Sequence, residues 1–459
     1  MTASDIAAAD VAPLYPPNFD PPSKPLSLPK FAVGIVTNPL SVVPETAYRE
    51  PFVQYGSRFT WVTDPGLIKR ILLDERDNFH KTPMEERILG PLLGNGLLVS
   101  SGADWKWQRQ TTAPVFRHGE VLRYLPAMVA AAEETIDRWR ARPPGAKHAI
   151  DIDVSDATYR VISDTMLTGS DGAAFARAEL DKVRQSWPLA YAVLGLPRWM
   201  PHPGQGTKQR AERHIRESVG RMVRARRDSP SERNDLVARL LQARDPESGK
   251  PMSDEEIVDN LLTFLVAGHA TTAKALMWSL YLVARAREWE RRMLAEIAEV
   301  VGDGQIRPEH IDKLTVVTMV LKEAMRLYPP VPEFPRVARD AVDLGGARLK
   351  AGSIVFIPIS AVHRHRRLWD DPDRFDPERF APEREATYSR YQFMPFGGGP
   401  RICIGASFSM VEAVAMLAMF VRAARFAVPD GFIPQPVSRV TLWSRNGMPL
   451  KVWMREGAA

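Results

Sequence analysis

Ser253-Asp-Glu-Glu256 opens a long apolar run, and that run limits what the chain can fold into. Ser253 and Glu256 have the spacing of a capping box, and acids in a first turn suit the helix dipole. Ile257, Leu261, Phe264, Leu265 and Val266 follow, and the pattern continues to about Ala286. A helix of ~30 residues spans ~45 Å, the width of a sizeable domain. His269, Lys274 and the early acids argue against a membrane span. The helix is expected to cross the centre of a protein built mainly from helices.

From Trp105 to about Leu327 the pattern is mostly helical, after a strand-like region from Val53 to Phe79 and a glycine-punctuated stretch from Gly90 to Val99. Between Arg336 and Phe380 it turns irregular, with short apolar runs such as Ile354-Val-Phe-Ile-Pro358. Asn446-Gly447 predicts a hairpin over Val440 to Val452, because a tight hairpin turn needs positive φ. The first thirty residues carry Pro13, Pro16, Pro17, Pro21, Pro22, Pro25 and Pro29, too many for a helix. They have neither the form of a signal peptide nor that of a membrane anchor. The expected division is an extended arm over 1–30 and one domain over 31–459, in a cytoplasmic monomer.

Net charge is slight, 61 Lys+Arg against 55 Asp+Glu, so nucleic acid is not expected as a partner. The densest basic stretch, Lys208 to Arg227, holds eight Lys/Arg against two acids. It reads first as a solvated helix face and second as a docking surface for an acidic partner.

The single cysteine, Cys403, excludes an intramolecular disulfide and any zinc or iron–sulfur site needing several thiolates. Its setting, Phe396-Gly-Gly-Gly-Pro-Arg-Ile-Cys-Ile-Gly405, is unlike that of a core cysteine. Successive glycines let backbone approach a flat object. Cys403 is expected to open an apolar helix running to about Val421, whose N-terminal N–H groups would lower the thiol pKa and tune it as a metal ligand. Gly405 leaves room over the helix start, and Arg401 suits an anionic group.

This segment resembles the haem-binding pattern of the cytochrome P-450 superfamily, F-x-x-G-x-R-x-C-x-G, at Phe396, Gly399, Arg401, Cys403 and Gly405. Further motifs agree in the family's order. Glu323-Ala-Met-Arg326 matches the E-x-x-R helix, and the resemblance completes a buried structural triad with Arg379. Trp105 and Arg109 match a W-x-x-x-R helix facing a haem propionate, and Arg336 lies where the family often places another propionate-binding arginine. His363-Arg-His-Arg-Arg367 could touch the haem edge or the redox partner, and most of it reads as ordinary surface. The resemblance runs from about Phe31 to the end. It implies a mainly α fold with small β-sheets, haem b held by Cys403, and a monooxygenase acting with dioxygen on a lipophilic molecule.

Ala267-Gly-His-Ala-Thr-Thr272 lies midway along the long helix, where the family pattern is [AG]-G-x-[DE]-T-[ST]. The resemblance gives Gly268, Thr271 and Thr272 to a dioxygen groove, with Thr271 aiding proton delivery; the alternative is that Thr271 only bonds back to a carbonyl. Ala270 stands where the family usually has an acid, and the neighbouring His269 points ~100° away around the helix. A missing proton relay typically costs 10²–10⁴-fold. A peroxide-driven enzyme, an impaired variant or a haem sensor are the rival readings. Pocket walls are expected from residues 81–98, 262–270, 331–334 and 437–440, and electrons from a separate ferredoxin or flavodoxin docking on nearby arginines.

Overall fold

A computed structural model describes residues 13–24, 26–56, 58–166, 200, 201, 203–229, 235–245 and 247–455. The first twelve residues of the proline-rich arm, and Pro25, lie outside them. Helices of ten or more residues are α1 (Leu28–Thr37), α2 (Pro83–Leu93), α3 (Gly102–Thr112), α4 (Leu125–Arg140), α5 (Ile150–Met166), α6 (Gln205–Asp228), α7 (Asp254–Val283), α8 (Arg287–Val300), α9 (Thr315–Leu327) and α10 (Ala406–Ala423).

α7 begins with both halves of the capping box closed. Ser253 Oγ accepts from the Glu256 N–H at 3.2 Å, and the Glu256 carboxylate accepts from the Ser253 N–H at 2.8 Å. From Ile257 onward the helix is buried except for a narrow stripe around Val266, Ala267, Gly268 and Thr271. α5, α6, α9 and α10 pack around it, so the expected central helix is what the structure contains. α10 is long and apolar enough to cross a membrane, and 72% of it is buried inside the protein.

Strands β1 (Phe52–Tyr55), β2 (Phe59–Val62), β3 (Phe79–His80), β5 (Phe334–Ala338) and β8 (Ile354–Ile357) form a sheet in the order β1-β2-β8-β5-β3, in which only β2 and β8 run parallel. β4 (Ala146–Ala149), β9 (Ala424–Ala427) and β12 (Pro449–Met454) form a second sheet with β12 central. A short pair, β6 (Val342–Leu344) and β7 (Ala347–Leu349), stands apart. Mainly α with small sheets is therefore the fold class.

Three expectations need correction. The hairpin lies earlier than predicted: β10 (Pro436–Arg439) pairs with β11 (Thr441–Ser444), turning at Val440 with φ 79°. Asn446-Gly447 instead sends the chain from one sheet to another, with Asn446 Oδ1 accepting from Gln435 N–H and the Ser444 hydroxyl. The His363 run is surface only at Arg366 and Arg367: His363, Arg364 and His365 are buried, because the loop wraps under α9 and gives the His363 carbonyl to Arg326. The basic helix α6 also turns partly inward. Lys208 pairs with Glu212, Arg216 with Asp259 and Arg226 with Asp235, while other cations along it face solvent.

The described part of the proline-rich arm is bound along its length. Phe19 is buried, the Tyr328 hydroxyl donates to the Pro17 carbonyl at 2.5 Å, and the Phe375 N–H donates to Leu14 at 2.9 Å.

Candidate functional site

Cys403 lies in a turn just before α10, not in its first helical turn; the helix starts at Ala406. The Cys403 N–H donates to the Phe396 carbonyl at 2.9 Å, closing the loop that the glycines shape. Gly399 is required by the protein itself: its φ is +66°, and a Cβ there would sit 2.2 Å from the Leu72 carbonyl oxygen. Gly405 is different, since a Cβ would meet only Cys403 Sγ at 3.9 Å and Phe116 at 4.0 Å. Space over Gly405 is thus not taken up by packing.

The Cys403 side chain is accessible yet lies deep within surrounding protein. Crowding by protein pushes its thiol pKa up, against the lowering pull of the Gly405 N–H and of Arg109. The expected lowering at a helix start therefore loses to desolvation in the protein alone, because α10 begins three residues later. Coordination of a cation by sulfur reverses that balance, since metal-bound thiols are deprotonated.

Around this loop the structure gathers Lys81, Glu85, Arg109, Arg336 and Arg401. Arg401 donates to the Ser100 carbonyl at 3.0 Å and lies 4.4 Å from the centre of the Trp105 ring, which also carries Arg109 at 5.9 Å. Arg336 Nη1 stands 3.7 Å from Glu85, and Lys81 donates to the Leu98 and Ser100 carbonyls. Burial lowers the pKa of all three arginines, Arg401 to about 10 with Arg336 adding to the effect. Burial and then Arg401 push Lys81 down to about 7. Four cations thus face one carboxylate. Such a cradle suits two further anionic arms, and with the accessible thiol and the space above Gly405 it fits haem with its propionates.

Along α7 the accessible side chains are Val266, Ala267 and Thr271, while Leu262, Phe264 and Ala270 are buried. The Thr271 hydroxyl donates to the Ala267 carbonyl at 2.9 Å. That back-bond is the alternative geometry expected for it, and the oxygen keeps accepting capacity toward the accessible side. Gly268 serves helix packing: a Cβ would lie 2.6 Å from Ile162 of α5. Thr272 points inward, 3.0 Å from the Ser409 hydroxyl of α10. His269 is buried against α5, where its ring meets Tyr159 edge to face and its Nδ1 lies 2.8 Å from the Leu265 carbonyl. It faces away from the accessible stripe.

Glu323 and Arg326 have fully buried side chains joined by two bonds of 2.6 and 2.7 Å. Arg326 also donates to the carbonyls of His363, Pro372 and Arg374, pinning the stretch that leads to the cysteine loop. Arg379 is looser, with Nε 3.7 Å from Glu323 and Nη2 donating to Asp371. His363 does not stand at the surface; its Nε2 accepts the Met394 N–H at 2.9 Å, and burial followed by Arg326 pushes its pKa down to about 3. Sequence reasoning missed Glu85 and Glu412. Glu85 left no signal beyond falling within a pocket loop, whereas Glu412 is the one acid inside the apolar helix α10.

The sequence matches the Cytochrome P450 family over residues 52–448. Cyclooctat-9-en-7-ol 5-monooxygenase of Streptomyces melanosporofaciens is 33% identical over 370 residues, 79% of either chain. Cytochrome P450 72A13 of Arabidopsis thaliana is 28% identical over 93% of this chain and 86% of its own. The crystal structure of the cytochrome P450DA heme domain superposes with a TM-score of 0.79 at 25% identity, covering 88% of this chain and 90% of the other. The chain belongs to the cytochrome P450 family, oxidoreductases of the monooxygenase type that bind haem b through a cysteine thiolate.

Proposed function

We propose that Cys403 is that thiolate, and that the protein inserts one oxygen atom of dioxygen into a lipophilic small molecule using electrons from a separate ferredoxin or flavodoxin. The observation that carries this reading is an accessible thiol in a fixed loop beside a cradle of four cations and one carboxylate. A thiolate-bound haem, when present, supplies the electron density that favours O–O cleavage. The chain's own residues do the remaining work. Arg109, Arg336, Arg401 and Lys81 hold the propionates, and Trp105 holds two of those guanidiniums in place. Val266 and Ala267 give an apolar wall, and the Thr271 hydroxyl holds a proton-carrying water.

An apolar substrate with one polar function suits such walls, as does the alcohol in the name of the Streptomyces relative. Titrating the haem-loaded protein with cyclic terpenoid alcohols, fatty acids and aromatic acids tests the proposal through its visible absorption. A haem band that shifts with one class, with product formed once a reduced donor and dioxygen are added, is expected. Absence of any haem band after reconstitution, or retention of the thiolate-type band in Cys403→Ala, would refute it.

Ala270 favours a second reading, a peroxide-driven enzyme, because that position carries no proton donor and His269 faces α5. Product from hydrogen peroxide alone, with none from donor and dioxygen, would select it.

A further inference from the structure

Asp259 stands near the start of α7, and its carboxylate ties that helix to two other elements. One oxygen accepts from Arg216 Nη2 of α6 at 2.7 Å, and the other accepts from the Asn95 N–H, in the loop after α2, at 2.8 Å. Arg216 Nη1 reaches the same loop by donating to the Leu92 carbonyl at 3.0 Å. Next along α7, the Asn260 side chain accepts from the Leu97 N–H at 3.2 Å. Loop and helix lie so close that two glycines are required. A Cβ at Gly94, where φ is +54°, would sit 2.2 Å from the Asp259 carboxylate, and one at Gly96 would sit 2.3 Å from the Thr263 hydroxyl. On its other side the loop is held by Gln108, which donates to the Asn95 carbonyl at 2.9 Å, and by the bonds of Lys81 and Arg401 to the Ser100 carbonyl.

This clasp stands where the accessible stripe of α7 ends. Asp259 and Thr263 precede Val266 and Ala267 by seven and four residues, so all four lie on one side of the helix. Val266 and Ala267 are accessible, whereas Asp259 and Thr263 are buried under the loop. At ~1.5 Å per residue the cover begins about 6 Å along the axis from Ala267 and runs about 6 Å further to Asp259. Packing alone does not call for a charge there, since an apolar contact would join helix to loop without desolvating a carboxylate.

We propose that Asp259 is a specificity-determining residue of the monooxygenase site. With Arg216 it fixes residues 94–97 as an end wall, so that the site takes compact apolar molecules and stops ligands that extend along α7 past Ala267. A wall of backbone held on both sides does not swing aside for a longer ligand as a side chain would. Asp259 acts through the loop and is a positioning rather than a catalytic group.

The inference rests on the haem-monooxygenase reading, and two measurements separate their failures. The first uses 1-methyl-, 1-butyl-, 1-hexyl-, 1-octyl- and 1-decylimidazole as rulers, bound to the iron of the haem-loaded protein and read by its visible absorption. Each buried methylene should tighten binding about fourfold until the tail meets the wall, where the gain stops. In Asp259→Ala the gain should continue through about four further methylenes, while affinity for 1-methylimidazole changes less than about twofold. Gly96→Ala, which pushes the loop off Thr263 and leaves the ion pair intact, should extend the series likewise and serves if Asp259→Ala fails to fold. The second measurement is amide hydrogen exchange, with or without haem. Exchange in residues 94–97 should quicken at least about tenfold in Asp259→Ala, because the Asn95 N–H loses its acceptor.

A series that ends at the same tail length in the variants, or an equal loss at every length, would overturn the proposal, as would unchanged exchange of the loop. A parent protein that takes up no haem would overturn the functional reading instead, and exchange would still decide whether Asp259 holds the loop.

Discussion

Replacing Arg326 by methionine removes the cation around which the stretch before the cysteine loop is folded. The guanidinium makes two bonds to Glu323 and three to the carbonyls of His363, Pro372 and Arg374, all between 2.6 and 3.0 Å. In its absence Glu323 keeps the Asp376 N–H at 2.8 Å and the distant Arg379, too little for a carboxylate with no exposure. Breaking a buried pair by removing one partner costs about 3–5 kcal/mol, and each stranded carbonyl adds about 1–3 kcal/mol before relaxation. Because relaxation recovers part of this, a net loss of about 5 kcal/mol or more is expected. That compares with roughly 5–15 kcal/mol for a whole domain. Arg326→Met should therefore lose most of its resistance to urea, followed by circular dichroism. The double variant Glu323→Gln/Arg326→Met should recover about 1–4 kcal/mol, since no unpaired charge remains. A single variant that loses under about 1 kcal/mol, or a double variant no better than the single, would refute the claim that charge burial makes this pair indispensable.

Phe19→Ala should destabilise the protein by about 2–4 kcal/mol in thermal unfolding, because the arm fills a core position through that ring; no change would mean the arm is ornamental to stability. Glu333, raised to about 7 by burial, binds a proton more tightly folded than unfolded. Its contribution is therefore most favourable below the unfolded value of ~4.3 and is lost as pH rises through about 7. Glu333→Gln should flatten the fall in melting temperature between about pH 4.5 and 7.5, and an unchanged slope would count against it. Electron transfer from an acidic donor should slow between about 0.05 and 0.5 M salt, because steering toward exposed arginines is screened; rates indifferent to salt would exclude charge-guided docking.

The parts of this protein legible in its sequence are those set by short-range rules. The capping box at Ser253 and Glu256 needs only four residues to be recognised, and it formed as read. Glu323 and Arg326 are three apart on a helix, so their pairing was also readable. The errors lie where partners come from far along the chain. Asn446-Gly447 has the chemistry of a hairpin turn, yet β12 finds β4 and β9 and leaves β11 to β10. His363-Arg-His-Arg-Arg367 looks like a solvated run because nothing local announces that Arg326, Tyr328 and Asp373 will surround it. Gly268 matches a family pattern, but nothing local announces that Ile162, more than one hundred residues earlier, occupies the position a side chain there would need.

Charge explains why the site and the stability of this fold are hard to separate. Five of the buried acids are met by cations, among them Glu323, Asp259 and Asp235. Two arrangements depart from that pattern with opposite signs. Around the cysteine loop, cations outnumber anions and their protons are loosened by burial, a state that a dianion bound there would relieve. In α10, Glu412 carries its proton because no cation permits it to lose one. A chain selected for stability alone gains nothing from either arrangement, since neutral side chains of the same size would pack without the desolvation penalty. On the proposed function, the cationic cradle beside Cys403 is where packing serves cofactor binding rather than stability.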